Sequence, residues 1–197
     1  MLIDVKNIIG QTKQHSQSED SGQDAFSLSS LENETRFVDD MSVQLTRAIG
    51  KISRGKTIHY YSYGNFNLVR LILYLIRQTG PVHVFMTSYS FSQKSIEQLK
   101  NRLDKGQILS FKVLIDNRVK SMSPKPFQML CECFDYRCSS IHAKVALLWN
   151  DIWNLSIVTS QNATDNPKLE RGTIFTSRDV FDFDLNALEN EFNRSAT

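Results

Sequence analysis

Cysteine is scarce in this sequence. The three present, Cys131, Cys133 and Cys138, are odd in number and contain no Cys-x-x-Cys pair. That argues against both a disulfide framework and a zinc knuckle, and reduced thiols in a cytoplasm fit best. No apolar run approaches the roughly 20 residues that a membrane span needs, so no membrane segment is expected. The opening residues lack the long apolar core of a secretory signal, which makes the Asn-x-Ser/Thr sequons at Asn33 and Asn162 coincidental. Charge of one sign is also missing, since 23 Lys and Arg against 21 Asp and Glu leave a formal net charge of +2. Global electrostatics therefore neither demands nor excludes a nucleic-acid partner, and a local basic surface would have to supply the attraction. Nor is there an internal repeat, so any motif occurs once.

What is present suits one domain with a proper core: 197 residues, 41% hydrophobic and 22% charged, the balance of an ordinary soluble globular protein. Residues 11–33 are dominated by Ser, Gln, Asp, Glu and Gly. That composition predicts a flexible or extended arm over 1–33, a candidate contact for a protein partner, in which 1–9 could still dock as a short strand or helix. Phe37, Met41, Leu45, Ile49 and Ile52 then recur at helical spacing, which predicts an amphipathic helix over 34–51 within an N-terminal segment 34–56. Its basic end, Arg47, Lys51, Arg54 and Lys56, suits either the helix macrodipole or a nucleic-acid backbone.

From residue 57 the pattern alternates. A strand over 57–63 is followed by a helix over 67–78, a strand over 82–87, a helix over 93–105 capped by Ser90 or Ser92, and a strand over 109–115. A basic loop over 120–126 and a short helix over 126–134 come next, with Pro126 in its first turn. A hairpin of 141–149 with 155–158, a short strand over 172–176 and a helix marked by Leu185, Leu188 and Phe192 complete the chain. This order implies an α/β class fold, a mixed β-sheet flanked by helices on both faces.

One stretch concentrates the chemistry. In Ile141-His142-Ala143-Lys144-Val145, read as a strand, the period of two puts His142 and Lys144 on one face. The chain turns at Asn150-Asp151 and returns to deliver Ser160 and Asn162 at the far end of the second strand, with Glu170 downstream to orient the imidazole. A base, a fixed cation, a hydroxyl and a carboxamide so gathered outline a phosphate-ester site. His-x-Lys alone is ordinarily a solvated face; the ordered succession after it carries the reading.

That succession, His142-x-Lys144, a strand, a turn, a second strand, Ser160-x-Asn162-x-Thr164 and Glu170, resembles the active-site motif of the phospholipase D superfamily, and the order of elements over about 57–192 is similar to that fold. Two positions depart from it. The Asp five residues after the Lys is Trp149 here, with Asp151 in the turn, and the Gly before the Ser is Thr159. The resemblance implies a phospholipase D-like catalytic domain over 57–197 that needs no cofactor and no metal. His142 would attack phosphorus, Lys144 and Asn162 would hold the nonbridging oxygens, Ser160 would support them, and Glu170 would fix the imidazole tautomer from its own or the partner chain.

In that superfamily two motifs meet at one site, so a single copy implies a homodimer, with C2 symmetry the simplest arrangement. One His142 attacks and its twin protonates the leaving group, which implies a pH profile that rises and falls across mildly acidic and neutral values. Short single-motif members are typically nucleases, which implies an endonuclease acting on DNA ahead of RNA, away from membranes. Two alternatives stand beside it: a catalytically silent nucleic-acid-binding or assembly module of the same fold, and, more remotely, a phosphatidyl or other small-phosphodiester hydrolase. Tyr89 lies in a loop beyond the carboxyl end of a strand, where open α/β sheets bind ligands. It joins Arg118, Lys120 and Lys125 as candidate nucleic-acid contacts. His59 is a rival site residue, although an isolated His in such a strand is ordinarily structural.

Overall fold

In the computed structural model of the chain, the described residues are 26–29 and 41–195. The alternating segment forms strand β2 (Thr57–Tyr63), with Ile58, Tyr60 and Ser62 buried and the intervening side chains half-buried, the period that a sheet imposes. Ahead of it, inside the span expected to be an arm, β1 (Phe26–Ser29) pairs antiparallel with β2 from Phe26 opposite Tyr61 to Ser29 opposite Ile58. The rest of 1–33, including the docking element expected over 1–9, lies outside the described residues. So do residues 34–40 of the first expected helix, whose described part is α1 (Met41–Ile49).

Helix α2 (Leu68–Thr79) starts where the Asn67 side chain accepts the Arg70 amide at 3.0 Å, satisfying one of the donors a helix start leaves orphaned. β3 (Val82–Ser88) is buried at every position but His83, as a strand covered on both faces must be. α3 (Gln93–Asp104) is capped by Ser92, whose hydroxyl accepts the Ser95 amide at 3.2 Å, and β4 (Ile108–Asp116) follows. The expected basic loop is instead two short helices, α4 (Val119–Met122) and α5 (Pro124–Cys133). Pro124 and Pro126 both sit in the first turn of α5, where a missing N–H costs nothing. β5 (Asp135–Ser139) has no apolar alternation to announce it and is made by parallel pairing with β4. The remaining elements are β6 (Val145–Trp149), β7 (Asn154–Thr159), β8 (Leu169–Phe175) and α6 (Arg178–Arg194).

The sheet runs β1-β2-β8-β7-β6-β3-β4-β5. β3, β4 and β5 are parallel and the other pairings antiparallel, so the sheet is mixed as the element order implies. On one face Tyr60, Val84, Met86, Val113, Leu148 and Ile174 pack against Leu71, Leu75, Ile96, Leu99 and Leu130 of α2, α3 and α5. On the other, Phe85, Leu114 and Leu147 pack against Phe181, Leu188 and Phe192 of α6. Burial of each such side chain is worth about 1.5–3 kcal/mol, so β3 is gripped from both sides. The antiparallel and parallel pairings together bring the carboxyl ends of β2, β3, β4, β5 and β7 to the same end of the sheet as the starts of β6 and β8.

Candidate active site

His142 and Lys144 stand at that end, but not within a strand, since β6 begins at Val145. A buried hydroxyl explains the difference. Thr87 Oγ1, at the end of β3, donates to the Ala143 carbonyl at 2.6 Å and accepts the Val145 amide at 3.0 Å, taking backbone partners that a ladder would otherwise use. Thr159 N–H adds a bond to the Lys144 carbonyl at 3.0 Å. The His-x-Lys segment is thereby fixed without being paired as sheet, and His142 is left exposed.

The Lys144 ammonium donates to the His142 carbonyl at 2.9 Å and lies 3.3 Å and 3.4 Å from the Nδ1 and Nε2 atoms of the imidazole. Lys144 is only 8% exposed. Burial pulls its pKa below the ordinary lysine value, and the Glu170 carboxylate acts in the opposite direction. A poorly hydrated ammonium beside an imidazole interacts strongly with an incoming anion.

Asn162 arrives from the loop after β7. Its Oδ1 accepts the Tyr89 amide at 3.2 Å, and the loop is zipped to the one after β3 by Ala163 N–H to Ser88 Oγ at 3.1 Å and Ser92 N–H to the Ala163 carbonyl at 3.1 Å. With Oδ1 occupied, the amide orientation is set, and Nδ2 has no partner among the described residues. Gln161, 2% exposed, is the buried post under this loop. Its Oε1 accepts from the Tyr60 hydroxyl at 2.7 Å and its Nε2 donates to the Phe66 carbonyl at 2.6 Å. Burial raises the Tyr60 hydroxyl pKa further still, so it remains a neutral donor.

Ser160 donates its hydroxyl to Glu170 Oε2, and Asn166 Nδ2 donates to Glu170 Oε1 at 2.6 Å. Glu170 lies within β8, paired with Ser62 of β2, rather than ahead of the strand. Both of its oxygens are thus engaged inside one chain, and it makes no hydrogen bond to His142 there. Gly64, at φ 79°, lets this region close: a Cβ there would sit 2.7 Å from the Asn166 carbonyl oxygen and from Pro167 Cα, so the segment leading into Glu170 rests on bare backbone.

Tyr89 completes the group. Its ring centroid is 5.6 Å from that of His142 and 6.0 Å from Lys144 Nζ, and Arg118 Cζ lies 4.7 Å from it. Lys120 lies 5.7 Å from the Phe127 ring, Lys125 is exposed on α5, and His59 sits on β2 with Nδ1 3.0 Å from Thr173 Oγ1. The basic end of α1 leads into Thr57, at the end of the sheet opposite His142, as the bond from Thr176 N–H to the Lys56 carbonyl shows. Asp151 is in the exposed turn between β6 and β7, also at that far end. Trp149, where the motif has Asp, stacks on His83 at 5.3 Å and packs against Phe181 at 5.8 Å. No group of three or more His, Cys, Asp or Glu side chains among the described residues is placed to hold a metal ion.

Sequence reasoning missed Thr87, Gln161 and Asp116. Each is a buried polar residue at the end of a strand or just beyond it, and the only signal in the sequence is a polar residue closing an apolar run.

No protein-family model and no curated protein matches the sequence. Solved structures do match. The polyphosphate kinase of Porphyromonas gingivalis superposes with a TM-score of 0.53 at 13% identity, over 68% of this chain and 26% of that one. An archaeal chromatin protein gives 0.47 at 10% identity over 73% and 54%, and the phosphatidylserine synthase of Haemophilus influenzae Rd KW20 gives 0.43 at 12% over 68% and 38%. The chain thus spans about a quarter to a half of the length of these proteins. Among the described residues no helix is long and apolar enough to cross a membrane. The likeness to the polyphosphate kinase, with the mixed sheet and its helices, shows that the chain has a phospholipase D-like α/β fold.

Proposed function

We propose that the chain is a metal-independent phosphodiesterase, an endonuclease cleaving DNA or RNA through a phosphohistidine at a site shared by two copies. The observation that carries this reading is the convergence of His142, Lys144, Asn162 and Tyr89 from three separate elements at one end of the sheet. An imidazole nitrogen of His142 attacks phosphorus, the P–O bond to the leaving oxygen breaks, and His142 of the partner subunit gives that oxygen its proton. Water then attacks the phosphohistidine, surrendering a proton to the same partner imidazole and restoring both groups. Lys144 and the Asn162 Nδ2 donors stabilise the charge gathering on the nonbridging oxygens. In this reading Glu170 of the partner subunit fixes the tautomer of His142 through an acceptor site left on its carboxylate beside the bonds from Ser160 and Asn166. The test is cleavage of single- and double-stranded DNA and RNA in excess EDTA. Cleavage that persists without free metal is expected, and its absence for every substrate contradicts the reading.

A second reading, a silent nucleic-acid-binding or assembly module of the same fold, is favoured by Trp149 standing where the motif Asp belongs and by Glu170 being bonded away from His142. Lys144→Met separates an enzyme from that module. Burying a charged lysine costs stability wherever the ammonium persists; the cost is fully present below the lowered folded pKa, declines as pH rises past it because the folded state then binds fewer protons than the unfolded one, and is gone only above the unfolded lysine value. In an enzyme, Lys144→Met is expected to raise the melting temperature at neutral pH while lowering kcat/KM by about a hundredfold. A variant less stable than wild type would make Lys144 a structural residue.

A further inference from the structure

Asp116 and Arg118, which the phosphoryl chemistry does not use, form an assembly with Tyr89 at its border. Arg118 donates Nε to Asp116 Oδ1 at 2.7 Å and Nη2 to Oδ2 at 3.1 Å, and its backbone amide reaches Oδ1 at 3.0 Å. The Asp116 side chain is 2% exposed while that of Arg118 is 60% exposed, so a carboxylate anchored in the end of β4 holds a guanidinium out in solvent. Arg118 beside Asp116 keeps its carboxyl below the usual carboxylate range, so the anchor stays charged, and the Ile141 amide, one residue before His142, acts on it in the same direction. The guanidinium also lies over Tyr89, the ring that meets His142.

Two-pronged anchoring removes most of the rotamer freedom that a solvent-exposed arginine would lose on binding. It also leaves Nη1 without a partner among the described residues. Since Asp116 balances one unit of charge, the guanidinium works as a directional donor for an anion rather than as a general attractor. His142, Lys144 and Asn162 already serve one phosphate, and Arg118 stands across a single aromatic ring from them.

We infer that Arg118 is a preorganised clamp for the phosphate next to the scissile one on a nucleic-acid strand, with Asp116 and Tyr89 as its positioning residues, so that the site takes a polymer in preference to an isolated phosphodiester. The inference rests on the phosphodiesterase reading above and adds the class of substrate that the site selects.

The experiment compares kcat/KM for a single-stranded oligonucleotide and for bis(p-nitrophenyl) phosphate across wild type, Arg118→Ala, Arg118→Lys and the double variant Asp116→Asn/Arg118→Ala. The oligonucleotide-to-small-diester ratio is expected to fall about tenfold or more in Arg118→Ala, chiefly through KM. Lys should restore only part of it, because an ammonium cannot hold Asp116 at two points. The double variant leaves no orphaned carboxylate and must show the same fall, which separates the clamp from a folding defect. A ratio within about twofold of wild type in both Ala-containing proteins would overturn the inference. Hydrolysis of neither substrate by wild type would contradict the phosphodiesterase reading. The clamp is then read from oligonucleotide binding at fixed salt, where Arg118→Ala and the double variant should both lose about tenfold in affinity and an unchanged affinity removes it.

Discussion

Replacing His142 with Ala is expected to reduce cleavage by about a thousandfold or more while leaving the fold intact. Both halves of that expectation come from where the residue stands. His142 is exposed, lies ahead of β6, and has its backbone held through the Thr87 bonds to Ala143 and Val145 rather than through its own side chain. Losing the imidazole should therefore change stability by no more than about 0.5 kcal/mol, the range of surface substitutions. In a shared site the loss is compounded, since one substitution removes both the attacking group and the acid that serves the leaving oxygen. Mixing inactive His142→Ala with wild-type chains should lower activity below the sum of the separate homodimers. Activity surviving in His142→Ala would leave the silent module, with the cleavage a contaminant.

Gly172→Ala is expected to destabilise the chain by about 3 kcal/mol, on the order of a hundredfold in the folding equilibrium. A Cβ on Gly172 of β8 would lie 2.6 Å from Tyr60 Cε1, and closer still to Cζ and the hydroxyl oxygen. Tyr60 cannot withdraw: it is fully buried, its ring lies 5.6 Å from that of Phe66, and its hydroxyl holds Gln161. Displacing it would pull on the loop that positions Asn162. Any Gly172→Ala protein that folds should therefore show weaker phosphate binding in addition to its lower melting temperature. Chemical unfolding of the two proteins reads the first effect, and a midpoint equal to wild type would mean that the sheet shifts to accept the methyl group.

His142, Lys144 and Asn162 could be gathered from sequence by their ordered succession and Tyr89 by its place beyond the carboxyl end of β3, and the antiparallel pairing of β6 with β3 and β7 brings the start of β6 to the ends of those two strands. Strands β2, β3 and β4 and helices α2 and α3 were legible because apolar periodicity and capping residues are local signals. Strand β5 was not, because Asp135-Tyr-Arg-Cys-Ser139 becomes a strand only by pairing with β4. The partners of Glu170 were hidden for a related reason. Its place opposite Ser62 depends on β8 pairing with β2, a contact between residues 108 positions apart in the chain, and nothing local records that register. That same pairing puts the basic end of α1 at the wrong end of the sheet to meet a phosphate at His142. The Thr87 hydroxyl went unread because a threonine in a β-branched strand looks like one more strand residue.

The proposed reaction passes through a phosphoryl group carried on His142. Stopping wild-type protein with denaturant during turnover of an end-labelled oligonucleotide, then digesting it and mapping the label by mass spectrometry, tests this most directly. A phosphoramidate is expected on the peptide containing His142, stable to base and lost in acid, and absent from His142→Ala. Turnover that leaves no adduct, or places it on another residue, would rule out His142 as the nucleophile.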